Sequence, residues 1–225
     1  MPNDTRPWLS FDCYDTLVRY SESKATALAA LVHAKVGGDE VQALAQETFE
    51  TVERGLQKGP FAPLNVILRE SLRAAFAAVG IKSTPDDEDT MITAVCEAEP
   101  FADVAPALCD LNHDHRLAIL SNSEPDIIRH NIARIGVPMD VVVLATEAKC
   151  YKPAAGMFEA LLARINAPAS SVTHIAQSFY HDMRAAKDLG FGRRIWINRY
   201  GRTGDAAYAP DAELSDLSGV RGVIG

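Results

Sequence analysis

Cysteine is scarce and scattered. The four residues, Cys13, Cys96, Cys109 and Cys150, form no Cys-x-x-Cys pair and no Cys/His cluster in 225 positions. That argues against both a disulfide framework and a zinc site. Dense basic runs are missing too, and 22 Lys and Arg against 30 Asp and Glu leave a net charge of −8. A nucleic-acid partner needs a basic face to neutralise phosphates, and an anionic membrane surface needs the same, so neither is an expected partner. No apolar run approaches the roughly 20 residues that cross a bilayer. The stretch Met1 to Trp8 holds no long apolar segment either. The expectation is a reduced, cytoplasmic compartment.

What is present is an ordinary globular composition, 48% hydrophobic and 23% charged, on a chain long enough to bury a core without covalent staples. Trp8-Leu9-Ser10-Phe11 reads as a short strand ending in the polar cluster Asp12-Cys13-Tyr14-Asp15-Thr16. Val41, Leu44, Ala45, Thr48, Phe49 and Val52 then repeat at helical spacing, as do Leu64, Ile67, Leu68, Leu72, Ala75, Phe76 and Val79. A further helix is expected over 86–98. From Arg116 onward the character changes: apolar strands at 116–120, 140–144, 172–176 and 194–198 alternate with helical segments. That alternation implies βαβ units and a buried parallel sheet. The first strand then joins the same sheet, with residues 21–99 inserted as an all-helical cap and residues 1–20 and 100–225 forming the core.

Polar residues gather where these strands end. Asp12 follows the first, Ser121 and Asn122 the second, Lys152 the third and Asp182 the fourth. The intervals from Ser121 to Lys152 (31) and Lys152 to Asp182 (30) match one βαβ unit each. In an open parallel sheet those ends share one edge, where ligands bind. A carboxylate such as Asp12 can act as a covalent nucleophile. Lys152 beside it would keep it ionised, Ser121 and Asn122 could hold an anionic substrate, and Asp182 could activate water or ligate a cation. Plainer roles compete: Asp12 can cap a turn, Ser121-Asn122 and Asp182 can cap the helices that follow, and Lys152 can be a loop lysine. His174 and His181 read as structural residues.

Phe11-Asp12-Cys13-Tyr14-Asp15-Thr16-Leu17, Leu117-Ala118-Ile119-Leu120-Ser121-Asn122-Ser123, Tyr151-Lys152-Pro153 and Trp196-Ile197-Asn198-Arg199 resemble the haloacid dehalogenase (HAD) superfamily, most closely its L-2-haloacid dehalogenase branch. The resemblance implies an α/β fold, a Rossmann-like parallel sheet flanked by helices, and a helical cap. It also implies hydrolysis through an aspartyl ester on Asp12. Lys152 would position that group and Asp182 activate the water, with Thr16, Ser121, Asn122 and Tyr14 around the substrate. HAD phosphatases usually read Asp-x-Asp-x-Thr, the second Asp protonating the leaving alcohol. Tyr14 stands there, as in the dehalogenases, whose departing halide needs no proton.

Several positions depart from that pattern. Asp15 replaces the usual Gly, Phe158 a usual Tyr, and Ala45 the cap's halide-binding arginine, so Arg19 or Arg54 would have to substitute. Asp182 lacks the usual Ser and Asn before it, and Ser178 stands where phosphatases carry an additional Asp. The expectation is a hydrolase of a 2-haloacid-like small anion that needs no cofactor, as a monomer or homodimer. The alternatives are a magnesium-dependent phosphatase using Asp12 and Asp182 as metal ligands, and a non-catalytic HAD-fold binding protein.

Overall fold

Every residue of the first strand, β1 (Trp8–Phe11), is buried. A strand with no wet face must be covered on both sides, which is the situation of a parallel sheet between layers of helices. The computed structural model describes residues 4–224. In it β1 lies at the centre of six parallel strands, together with β2 (Arg116–Ser121), β3 (Val141–Leu144), β4 (Val172–Ala176), β5 (Arg193–Ile197) and β6 (Ala212–Leu214). Their order is β3-β2-β1-β4-β5-β6. Side chains alternate across the sheet as the two-residue period requires. Leu9, Phe11, Leu117 and Ile119 pack on one face, and Trp8, Ala118, Leu120 and Val143 on the other. The three-residue edge strand β6 is absent from the sequence reading, being too short to carry a period.

Helices α1 (Tyr20–Lys35), α2 (Asp39–Lys58), α3 (Leu64–Ala78) and α4 (Pro85–Cys96) follow β1 directly. They close around their own core, which includes Leu28, Val32, Ala45, Phe49, Leu68, Phe76 and Val95. The inner face of α2 differs from the expected one. Leu44 is 46% exposed, and the buried row runs Ala45, Phe49, Glu53, so a carboxylate ends a stripe expected to be apolar. Helices α5 (Val104–Leu111), α6 (Pro125–Ile135), α7 (Ala145–Ala148), α8 (Ala155–Ile165), α9 (Arg184–Asp188) and α10 (Val220–Ile224) belong to the sheet layers. No helix of the described residues is long and apolar enough to cross a membrane.

The two crossings between sheet and cap are tied to each other. Val18 bridges Pro100, Arg19 N donates to Glu99 O at 2.9 Å, and Phe101 N donates to Leu17 O at 3.0 Å. Arg199 clamps this junction from beyond β5. It donates to Thr16 O at 2.8 and 3.2 Å and to both Asp103 oxygens at 3.0 and 2.7 Å, over the Phe101 ring. Burial would raise the Asp103 carboxyl, yet Arg199 and the Leu217 amide hold it below its ordinary value. Removing one partner of a mostly buried pair strands the other. Arg199→Met is expected to lower stability by about 2 kcal/mol, below the value for a fully buried pair because Asp103 keeps some solvent. Urea unfolding reads this directly, and no change would show that the clamp contributes nothing.

Candidate active site

Asp12 directly follows Phe11, the last residue of β1. Its backbone N still donates to Ile175 O at 3.1 Å, continuing the ladder, while its carboxylate emerges at the carboxyl edge of the sheet and remains 6% exposed. Thr16 Oγ1 donates to Asp12 Oδ2 at 2.7 Å and itself accepts from Gln177 N at 2.8 Å. Lys152 Nζ donates to Asp12 Oδ1 at 2.8 Å, to Asp182 Oδ1 at 2.7 Å and to Leu120 O at 3.0 Å. The three N–H bonds of the ammonium thus have three acceptors. Residues 140 and 30 positions apart converge because β1, β3 and β4, which they follow, end at the same edge of one parallel sheet.

The two carboxylates are not equivalent. Burial pushes the Asp12 carboxyl up and the charge of Asp182 adds to it, against the pull of Lys152 and Thr16. Asp182 feels the same burial, but Lys152 and His174 together hold it down to about 2. Burial would strip the Lys152 proton; Asp12 and Asp182 instead raise its pKa, so the ammonium stays charged. Of the two, Asp12 is the more basic carboxylate.

His174, on β4, joins this cluster. Its Nε2 lies 2.9 Å from Asp182 Oδ1 and its Nδ1 3.0 Å from Ser10 Oγ, all buried. The signal was available in the sequence: a polar residue inside an otherwise apolar strand. Asp182 belongs to a π-helical turn, Phe179–Met183, a distortion often found at functional sites.

Three buried polar atoms at this edge lack a partner among the described residues: Ser121 Oγ, Gln177 Nε2 and Asp182 Oδ2. Buried polar atoms are normally paired, so these are the ones free to meet a ligand. Asn122, expected at the substrate, is instead spent on the Lys152 backbone, accepting from its N–H at 2.6 Å and donating to its C=O at 3.2 Å. Tyr14 bonds Ser123 Oγ through its hydroxyl at 2.6 Å, and its ring stacks on Tyr20. Arg54 does not reach the site. Its side chain is 60% exposed and pairs with Glu50, one turn back on the outer face of α2. Arg19 is half-buried, lies over the Phe101 ring and pairs with Glu22. Asp15 takes the left-handed conformation at φ 60° that a glycine would favour, and its carboxylate accepts from Ser21 N at 2.9 Å and from the Ser21 hydroxyl, capping the start of α1. Phe158 packs in the core edge-on to His174.

For a divalent cation, the free Asp182 Oδ2 fits one ligand position beside the Asp12 carboxylate. Ser178, where an additional Asp would sit, turns its hydroxyl to His181. Among the described residues no group of three or more acidic, His or Cys side chains is placed to hold a metal ion. Such an ion would need substrate and water to complete its shell.

Comparison with known proteins bears on the family and the fold. A family model described as haloacid dehalogenase-like hydrolase matches residues 8–190. Among solved structures, a HAD-hydrolase from Bacillus subtilis, YfnB, bound to magnesium, superposes with a TM-score of 0.83 at 16% identity over 97% of this chain and 98% of its own. The L-2-haloacid dehalogenase RSc1362 gives 0.81 at 21% identity over 98% and 99%. The L-2-haloacid dehalogenase of Xanthobacter autotrophicus with chloropropionic acid covalently bound gives 0.81 at 18% over 98% of each chain. At these identities the likeness is one of fold. No curated protein matches the sequence.

Replacing Lys152 tests the charge balance. Lys152→Met leaves two buried carboxylates without their cation, a change expected to cost about 3–5 kcal/mol at neutral pH. Without the ammonium, the folded-state pKa of the pair rises above the unfolded value near 4. The missing stability should therefore return as pH falls and the pair takes up a proton. Urea unfolding at pH 4.5 and 7 measures the gap to wild type, and a gap independent of pH would contradict this account.

Proposed function

The chain belongs to the haloacid dehalogenase-like hydrolases, and from that premise we propose that it hydrolyses a 2-haloacid-like small anion through an ester on Asp12. The observation that carries this reading is Tyr14. It occupies the position from which an acid would protonate a leaving alcohol, and its hydroxyl is tied to Ser123. With no acid there, a leaving group that departs without a proton is favoured, and halide is such a group.

A carboxylate oxygen of Asp12 attacks the halogen-bearing carbon; the new C–O bond forms as the carbon–halogen bond breaks, and halide leaves with the electron pair. Lys152 and Thr16 hold the Asp12 carboxylate in one orientation during the attack, which lowers its entropic cost. Ser121 Oγ, buried and unpaired, is available to the substrate carboxylate. Water then adds to the Asp12 carbonyl carbon, delivering its proton to Asp182. Asp182 Oδ1 is already occupied by Lys152 and His174, so the free Oδ2 is the accepting atom. Collapse of the adduct breaks the bond to the substrate oxygen, and the proton held by Asp182 passes to that departing alkoxide, which releases the hydroxy acid and restores both carboxylates.

The free Asp182 Oδ2 also favours a second reading, a magnesium-dependent phosphatase. Asp12, Asp182 and the Tyr14 carbonyl would hold the ion, which would neutralise charge on the phosphoryl oxygens. Halide release from 2-chloropropionate in the presence of EDTA is the expected result. Magnesium-dependent cleavage of p-nitrophenyl phosphate without halide release would replace the first reading with the second, and neither activity from folded protein would leave a binding role. Asp12→Asn should abolish turnover, since an amide forms no ester; retention of more than a few per cent would sink the covalent mechanism. Asp12 must be ionised to attack, and burial raises its pKa. The acid limb of kcat/KM should therefore lie above the ordinary carboxylate value of about 4. A limb at or below it would contradict the assignment to Asp12.

A further inference from the structure

The cap holds one ion pair in which both partners are almost wholly buried. Lys24 of α1 and Glu53 of α2 are each 6% exposed, and the Lys24 ammonium donates to Glu53 Oε2. Tyr20 donates to the other oxygen, Oε1, at 2.9 Å. Taking two charges out of water is repaid only when hydrogen bonds complete both partners. Glu53 has a donor on each oxygen. Lys24 has three N–H bonds, and among the described residues it makes this one hydrogen bond. The rings of Tyr20 at 4.6 Å and Phe49 at 5.4 Å flank it, partial compensation for a cation but no acceptor.

The pair lies against the segments that carry the chemistry. Tyr20 stacks on Tyr14 with centroids 4.1 Å apart and planes at 16°. Tyr14 follows Asp12 by two residues and bonds Ser123, which follows Ser121 by two. On the other side, burial raises the Tyr151 phenol and the charges of Glu124 and Glu53 push it further; Tyr151 directly precedes Lys152. The buried cations among the described residues are Lys24, Lys152 and Arg194. Lys152 is committed to Asp12 and Asp182, and Arg194 to backbone carbonyls beyond β5. Ala45 is buried in the cap core, Arg54 is turned to solvent, and Arg19 is held by Phe101 and Glu22.

We propose that Lys24 is the cation with which the cap binds a small anion, with Glu53 as its resident counter-ion and Tyr20 fixing Glu53. The anion is the substrate's carboxylate or the departing halide; this assignment rests on the reaction proposed above. Glu53 then balances the Lys24 ammonium inside the cap before the ligand arrives. Lys24 also leaves two N–H bonds for an incoming anion.

The test uses Asp12→Asn protein, in which the ester cannot form, titrated calorimetrically with propionate and separately with bromide at fixed ionic strength. Adding Lys24→Met should weaken binding of one probe by about 10- to 100-fold, the range of a hydrogen bond to a charged group; Lys24→Arg should weaken it less. Loss confined to propionate identifies the carboxylate as the ligand, and loss confined to bromide the halide. Glu53→Gln should move affinity the other way, tightening the same probe, because it removes the competing charge and keeps a side chain for Tyr20 to bond. A structural tie between α1 and α2 would not produce that opposite sign. Unchanged affinity for both probes in Lys24→Met, with only the melting temperature lowered, overturns the proposal, as does the absence of measurable binding before Lys24 is changed. Should Lys24→Met fail to fold, Glu53→Gln decides alone: tighter binding supports the assignment, and equal or weaker binding refutes it. These titrations need no turnover. Wild-type protein that releases no halide from 2-chloropropionate would defeat the proposed reaction and leave the Lys24 result standing by itself.

Discussion

One ammonium group organises the carboxyl edge of the sheet. Lys152 Nζ, buried with all three of its N–H bonds used, holds Asp12 and Asp182 at 2.8 and 2.7 Å and is tied to the end of β2 through Leu120 O. Two carboxylates this close in a dry place could not both stay ionised without it. With it, a net negative charge remains among the three groups, and the contact from His174 to Asp182 absorbs part of it. The relative positions of β1, β2 and β4 and of the loop after β3 are thus constrained by electrostatics as well as by sheet hydrogen bonds.

That constraint divides the labour between the carboxylates. Asp182 has two strong donors on one oxygen and is the stronger acid. Asp12 has one charged donor and one hydroxyl and stays the more basic. The proposed nucleophile and water-activating group would differ in these terms. The difference comes from which neighbours each carboxylate has, since Asp182, the stronger acid, is the more fully buried of the two. The free Oδ2 of Asp182 follows from the same arrangement, because its partners converge on Oδ1.

The cap repeats the device with different parts. Its helices bury a row on α2 that ends in Glu53, and the cost of that carboxylate is met by Lys24 and Tyr20. The stacked Tyr14–Tyr20 pair joins this cluster to the loop after β1, so the cap and the catalytic edge share an aromatic contact. At the junction, paired backbone at Val18 and Pro100 and the Arg199 clamp fix where the cap enters and leaves the core.

The sequence by itself determined the layered α/β architecture, the helical insertion and the ordered approach of Asp12, Ser121, Lys152 and Asp182 to one edge. Those follow from hydrophobic period and from βαβ spacing, which are local properties repeated along the chain. Other features depended on contacts between residues far apart. Leu44 and Glu53 exchange the places their polarity suggests, because Lys24, 29 residues away, makes a buried carboxylate tolerable. Asn122 serves the Lys152 backbone because the loops after β2 and β3 lie side by side. His174 and Ser10 become partners only when β4 pairs with β1. Arg54 stays outside because its helix turns it to solvent, which one register of α2 allows and another would not. Period and spacing select a fold; which charges meet inside it is a property of three-dimensional neighbours, and only the folded chain decides that.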